Sequence, residues 1–542
     1  MIKTGLLFGM VGMALSLQAQ MNPKYKFEEA LKVIQKNYVD QVDEEKLVDA
    51  AIKAMLAELD PHSRYTSREE AEAMNVGMSG SFAGIGIQFL KSKDSTYITE
   101  VNPDGPAMRA GLRVGDQIVS VNGESIVGQQ LKNQDIMLKL RGDKGVPVTL
   151  GIKSPIVETV RDIEIIRESI LDRSVRQAYM VDDEIGYISL VIFNGTTRQE
   201  IDSAIEQLQK KGMKKLILDL QGNGGGYVQS AIGVVDEFLP KEKIVFYSMN
   251  NQGEKDYYFT GGFGRFYDGN IVVLIDESTA SASEIVSGAL QDWDRAVIVG
   301  RRSFGKGLMQ RPYDLPDGSV LQLTGARYYT PADRSIQRPY DKGAADYFAD
   351  FNRRMASKEL IEEGHVVFAD SLKHSTLGTK RTVYGGGGIS PDRFIPIDTN
   401  VYSEWMGHLV QSGLLVKLGF DYVQTHRVQL LEQYKDFKSF NRDYKIPESL
   451  LTGIITNAPK MKLVLPETTG AQESIALEMK AQIASLLYTG YDYQTRIRTE
   501  ASESFKTAIT ILKDQEKYDG LLNRQEKLSE VKKQRRKTQK NR

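Results

Sequence analysis

Residues 275–310 read IDESTASASEIVSGALQDWDRAVIVGRRSFGKGLMQ. The runs on either side of its first loop, Ile271–Ile275 and Ala296–Gly300, are apolar and rich in β-branched residues. Between them Glu284–Trp293 has the length and composition of a helix. Strand, helix and strand in that order make a βαβ unit with parallel strands in one sheet. Functional loops in such sheets collect at the carboxyl ends of the strands. STASASE follows the first strand and RRSFGKGLMQ the second. Ser281 therefore opens a helix whose positive end favours developing negative charge. Lys306 sits between Gly305 and Gly307, with Phe304, Leu308 and Met309 nearby, so it is expected to be desolvated. Burial drives a lysine toward its neutral form. A neutral amine can take a serine's proton, so such a pair can hydrolyse an amide without histidine or metal. The plain alternatives are a serine that only caps its helix and a lysine that is only solvated.

The same rhythm runs outward from Arg161 to Pro339. IGYISLVIF, KKLILDL, IVFYSM and NIVVLID read as strands, and Arg198–Lys211 and Tyr227–Leu239 as helices. DLQGNGGG (219–226) follows one of these strands, so its glycines are expected to share a crevice with Ser281. The Ala282 amide and glycine amides could hold an oxyanion. A phosphate loop is the rival reading of QGNGGG. It lacks the Lys-Ser/Thr of a Walker loop and does not match GxGxxG with a downstream acidic partner.

Length and composition narrow the rest. The chain has 542 residues, long enough for three or four domains. Its formal net charge of −1 gives no global attraction to nucleic acid or membrane. Zero cysteines exclude disulfides, zinc–thiolate sites and cysteine nucleophiles. The five histidines show no HExxH pair, and no serine lies in GxSxG. His62, in the turn LDPHSRY, is expected to be structural. MIKTGLLFGMVGMALSLQAQ has the layout of a secretory signal peptide, with an uncleaved anchor as the alternative. An extracytoplasmic, periplasmic location is therefore expected.

Periodicity predicts two helices over Lys24–Asp60, ended by Pro61. Short strands and one helix (Gln129–Leu140) fill Met78–Val157. There PAMRAGLRVGDQIVSVNG resembles the corresponding segment of PDZ domains. By that resemblance Gly84, Ile85, Gly86 and Ile87 form the loop that captures a terminal carboxylate, and the next strand edge pairs with an extended peptide. Asp341–Gly388 is less regular, and from Thr399 the pattern is helical. The tail VKKQRRKTQKNR reads as a solvated, disordered end.

The PDZ-like module, DLQGNGGG, STASASEIVSGALQDWDRAVIVG, SFGKGLMQ and YYTPADRSIQ occur in the order seen in the C-terminal processing peptidases, the tail-specific proteases, and LDPHSRY also resembles that family. The resemblance implies an α/β multidomain chain with a ClpP/crotonase-like βαβ protease core, an inserted PDZ domain, and helical N- and C-terminal regions. Its segments are a signal peptide (1–20), a helical region (21–77), the PDZ domain (78–157), the core (158–398, with an insertion at 341–388), a helical domain (399–525) and a basic tail (526–542). It places the nucleophile on Ser281, the base on Lys306 and an assisting glutamine on Gln310. Oxyanion donors fall on Ala282 and on Gly225 or Gly226. No metal or cofactor is implied.

The implied partners are unfolded or C-terminally exposed proteins, not nucleic acid. The C-terminal helices could support a homo-oligomer or an adaptor. Gln221, Gly222 and Gly224 depart from the family's usual DLRNNPGG loop, so a more flexible oxyanion loop is expected. Arg141 is a candidate contact between PDZ module and core. The alternative from another class is a non-catalytic envelope binding or scaffold protein on the same fold.

Overall fold

The computed structural model describes residues 23–71, 81–92, 95–102, 105–128, 131–154, 159–171, 173–488 and 492–522. The expected leader and basic tail lie outside these. The described residues form two compact units, divided between Leu59 and Asp60. The first holds two helices, Pro23–Asn37 and Glu44–Ala57. Asp43 caps the second by accepting from the Lys46 amide at 3.1 Å.

The second unit begins at the LDPHSRY turn and contains everything else. Its PDZ sheet runs in the order Ile87–Ser92, Ser95–Val101, Gln117–Val121, Pro147–Lys153, Val160–Ile166. The last strand extends beyond the boundary expected near Val157. The segment read as one strand, GIGIQFL, is broken at Ile85–Gly86. Gly86 adopts φ +77°, and a Cβ there would meet Asn102 Cβ at 3.2 Å. Ile98, Leu112, Ile118, Ile136 and Leu150 fill the module's core.

The protease core is a six-stranded sheet in the order Val175–Met180, Ile185–Leu190, Lys215–Asp219, Asn270–Ile275, Val297–Gly300, Arg393–Phe394. From the second strand onward all pairings are parallel. Its apolar runs are continuous because both faces are covered. Ile188, Leu218, Val273 and Ile298 face helices Thr197–Lys210, Val228–Asp236 and Ala282–Asp292. The alternate residues Tyr187, Ile217, Val272, Leu274, Val297 and Val299 pack with Phe505, Ala508, Ile511, Leu512 and Tyr518. Helices Glu503–Lys513 and Gln515–Leu522 therefore form the second layer of the protease core. The preceding helices, from Glu404 to Ala501, build a separate core around Leu409, Phe440, Ile454, Met479 and Ile483.

A second sheet is centred on Val320–Tyr329, which pairs antiparallel with Arg64–Thr66, Ile244–Met249 and Leu308–Asp314. The LDPHSRY turn is thereby joined to Val320–Tyr329, which also pairs with the strand that follows the lysine loop.

Candidate active site

Ser281 lies at the carboxyl edge of the core sheet, where Asn270–Ile275 gives way to helix Ala282–Asp292. Its φ of +56° and ψ of −116° form a turn that a non-glycine residue rarely adopts. Such a conformation costs on the order of 1–3 kcal/mol and persists only where its surroundings over-determine it. Here they do. Ala280 N donates to the Asn223 carbonyl at 3.0 Å, and Ser283 Oγ donates to the same oxygen at 2.9 Å. Thr279 Oγ1 donates to Leu220 O at 2.9 Å. The serine loop is thus stitched to the glycine loop.

That glycine loop is held more firmly than its composition suggested. Asn223 Nδ2 donates to Leu190 O at 2.7 Å, and Asn223 Oδ1 accepts from Gly225 N at 2.9 Å. Gly222 N donates to both carboxylate oxygens of Asp276 at 3.0 Å. Asp219 accepts from Gln221 N at 2.9 Å and from the Tyr187 hydroxyl at 2.7 Å. Burial pushes the Asp219 carboxyl up to about 6, against those two hydrogen bonds. Asn223, Asp219 and Asp276 thus anchor a loop that was expected to be more flexible.

Of the two candidate glycines, Gly225 lies against Ser281. A Cβ on it would lie 2.8 Å from Ser281 Cβ and 3.0 Å from Ala282 N, at φ +101°. Its own amide is engaged by Asn223. Gly226, at φ +142°, has no room for a side chain because a Cβ would lie 2.0 Å from Phe193 O. Gly225→Ala is expected to displace the Ser281 turn and slow acylation of Ser281 by a fluorophosphonate about 10²-fold, the scale of an ångström-sized misplacement. A stopped assay of probe incorporation measures it.

Lys306 is partly buried, and its ammonium is held below its ordinary pKa. Loss of water is the main cause. The Arg64 charge acts in the same direction, and Glu284 and Asp60 oppose it. The loop is walled by residues of the irregular segment. The Arg338 guanidinium lies 3.7 Å over Phe304 and 3.9 Å over the Tyr347 ring, and pairs with Asp350 at 2.7 Å. Gly305 is a glycine because a Cβ would meet Gly388 N at 3.0 Å. Residues 341–388 therefore back the lysine loop. Gln310 directs its amide to Thr324 Oγ1 at 3.2 Å and Leu308 O at 3.4 Å.

Two features beside the lysine were not placed there from the sequence, which expected only a structural role for His62. In the LDPHSRY turn, Asp60 accepts from the amides of His62 and Ser63 and from Ser63 Oγ, at 2.8, 2.9 and 2.5 Å. His62 contacts the Tyr347 hydroxyl at 2.9 Å, and its pKa falls to about 4 through burial, with Lys306 adding to the effect. The other is Glu284. Its fully buried carboxylate accepts from Ser281 N (2.8 Å), Lys306 N (2.9 Å), Gly305 N (2.7 Å) and Ser303 Oγ (2.6 Å). Ser281-x-x-Glu284 is a capping-box pattern, the signal from which this could have been found.

Residues 184–343 match the model of peptidase family S41, and residues 97–153 match a PDZ-domain model. Residues 13–70 match the model of the activating protease CtpB N-terminal domain, and residues 405–490 a family of unknown function, DUF8443. Over 318 residues the chain is 38% identical to the carboxy-terminal-processing protease of Bartonella bacilliformis, covering 58% of this chain and 72% of that protein. The chain belongs to peptidase family S41. This S41 chain is also 35% identical over 316 residues to a "Probable CtpA-like serine protease" of Staphylococcus aureus, covering 58% of this chain and 62% of that one. Among solved structures, a photosystem II D1 C-terminal processing protease is 30% identical, covers 58% of this chain and 90% of its own, and gives a TM-score of 0.35. The chain is thus a serine-type peptidase of the carboxy-terminal-processing protease family, with a PDZ domain, a mixed α/β core and a helical C-terminal region.

Proposed function

We propose that this S41 peptidase is an extracytoplasmic endopeptidase that takes protein C-termini into its PDZ groove and cleaves with a Ser281–Lys306 dyad. One observation carries the reading: a single buried carboxylate oxygen of Glu284 accepts from the amides of both Ser281 and Lys306. Two loops separated by a helix and a strand are thereby brought to one point, with the lysine desolvated there.

In the reaction, Ser281 Oγ attacks the scissile carbonyl carbon as its proton passes to Lys306 Nζ. The oxyanion is received by the Ala282 amide and an amide of the glycine loop. Gly225 lies nearest, and because its N–H is engaged by Asn223, Gly226 is the glycine assigned as donor. Lys306 returns the proton to the leaving amine and the C–N bond breaks. Water then attacks the acyl-enzyme, giving its proton to Lys306, and Ser281 is regenerated. Gln310 steadies the strand that follows the base through Thr324.

Substrate delivery rests on the PDZ module. Among the described residues Ile87–Ser92 is the edge strand of its sheet, the position where an extended tail would add as a further strand. The loop before it is set by Asn102 N donating to Gly86 O at 2.8 Å and Ala107 N to Ile85 O at 3.0 Å. These bonds use the loop's carbonyl groups and turn its amide side toward a carboxylate.

Ser281→Ala is expected to leave an unfolded, tail-bearing substrate intact, while wild type cleaves it and is labelled at Ser281 by a fluorophosphonate. Equal cleavage by both proteins would remove Ser281 as the nucleophile. Tail capture without turnover by wild type would favour a scaffold.

A further inference from the structure

The backbones of the two dyad residues are tied on both of their polar sides. On the amide side stands Glu284, with one oxygen 2.8 Å from Ser281 N and 2.9 Å from Lys306 N. On the carbonyl side stands Tyr328, 2% exposed, with its hydroxyl 3.1 Å from Ser281 O and 2.5 Å from Lys306 O. We propose that Glu284 and Tyr328 are positioning residues that act as one two-sided clamp, fixing nucleophile and base relative to each other. This rests on the dyad reading and adds to it the device that sets the dyad's geometry.

The hydrogen-bond polarity favours one arrangement. Ser303 Oγ accepts from Ile389 N at 2.6 Å and donates to Glu284 at 2.6 Å. All four groups facing the Glu284 carboxyl are then donors. A protonated carboxyl would direct its O–H at another donor, so the group stands as the anion although burial raises its pKa. Tyr328 faces two carbonyl oxygens and must donate, sharing one proton between them. Burial and the nearby Glu284 charge hold its pKa well above the ordinary tyrosine value, so it keeps that proton.

The clamp joins three elements. Glu284 belongs to the helix after the nucleophile, Tyr328 to the second sheet, and Lys306 to the loop between the two sheets. Amide bonds to a carboxylate are charge-assisted and stronger than neutral ones. They can hold Ser281 at its unfavourable φ of +56°. Fixing the Lys306 backbone limits where its long side chain can place the amine, which is an orientation effect on the reaction.

The test uses the full-length protein. Tyr328→Phe removes one oxygen and keeps the ring that meets Phe246 edge-on at 6.0 Å. Glu284→Gln keeps the shape but turns an NH₂ group on donors. Turnover per fluorophosphonate-titrated site, KM for a tailed substrate, pH profile and melting temperature are measured for each variant and for the pair. Tyr328→Phe is expected to lower kcat about tenfold with KM within about twofold, the scale of one lost hydrogen bond. Glu284→Gln is expected to lower it about 10²-fold, since the lost acceptor is charged.

Glu284→Gln also removes a negative charge that holds the Lys306 ammonium up, so the acid limb of kcat/KM moves to lower pH. The other charged and titratable neighbours, Arg64, Asp60 and His62, are unchanged. The double variant should lose about what Glu284→Gln loses alone, because the two act as one unit. Unchanged kcat in Tyr328→Phe, or additive losses with an unmoved acid limb, would overturn the clamp. If Glu284→Gln fails to fold, Tyr328→Phe and its KM–kcat split decide the matter. Failure of the dyad itself would appear separately, as a wild-type protein whose Ser281 is not acylated.

Discussion

Lys306→Met is expected to abolish hydrolysis, with a loss on the order of 10⁴-fold, and to leave the fold at least as stable as wild type at neutral pH. The first half follows from the loss of both proton transfers, to and from Ser281 and the leaving amine. The second half follows from the site's electrostatics. Folding removes water from the ammonium and sets Arg64 beside it, so folded Lys306 binds its proton less tightly than the unfolded chain does. Where the unfolded state holds more protons, stability rises with pH. The burden of the buried ammonium is therefore present below the folded pKa and fades as pH climbs toward the ordinary value of 10.5. Methionine carries no such burden. In wild type, the same depression makes activity rise about tenfold per pH unit until the amine is neutral. A Lys306→Met protein that still cleaves, or a wild-type rate flat from mildly acid to mildly alkaline pH, would remove Lys306 as the base. Melting curves of both proteins across that range check the stability half.

A chain terminated after Ser502 is expected to be insoluble or unfolded, although PDZ module, glycine loop, Ser281 and Lys306 would all be present. Helices Glu503–Lys513 and Gln515–Leu522 cover the central strands on one face of the core sheet. Phe505 packs edge-on against Tyr187 at 5.5 Å, and the Tyr518 hydroxyl accepts from Ile271 N at 3.1 Å. Burying Phe505, Ile511, Leu512 and Tyr518 contributes on the order of 10 kcal/mol in area terms. That equals the whole net stability of an ordinary domain, about 5–15 kcal/mol. Their removal would also expose Ile217, Val272, Leu274, Val297 and Val299 as one apolar surface, which invites association. The helices reach the site as well, since Gln221 of the glycine loop donates to Ser504 Oγ at 3.5 Å. Soluble expression of the shortened chain with a wild-type melting temperature and full turnover would refute this.

These two outcomes divide what was legible from what was not. Catalytic candidates stand out where chemistry is local. Ser281 at a strand-to-helix turn and Lys306 between glycines are short-range patterns; the Ser281-x-x-Glu284 spacing is one too, but it was not read. The alternation of strands and helices is likewise local, because period and capping are properties of neighbouring residues. The PDZ module was legible through the resemblance of PAMRAGLRVGDQIVSVNG to PDZ segments, although Gly86 broke its first strand and its sheet continued to Ile166.

Other features have no local signature. Nothing in LDPHSRY indicates that Asp60 and His62 stand beside a lysine about 240 residues away. The 341–388 segment read as an insertion because its elements are short: it holds two brief helices and a small hairpin, and supplies Tyr347, Asp350 and Gly388 to the wall of the lysine loop. The terminal helices read as part of an appended domain because an amphipathic stripe shows that a face is buried and not what it is buried against. The sequence by itself determined the βαβ core, the PDZ module and the residue types able to do serine–lysine chemistry. Only the tertiary structure decided that helices 503–522 complete the core, that Asn223 engages the Gly225 amide, and that Glu284 and Tyr328 meet Ser281 and Lys306 from opposite sides. Those are contacts between residues far apart in the chain, formed when sheets and helices pack, and local periodicity carries no record of them.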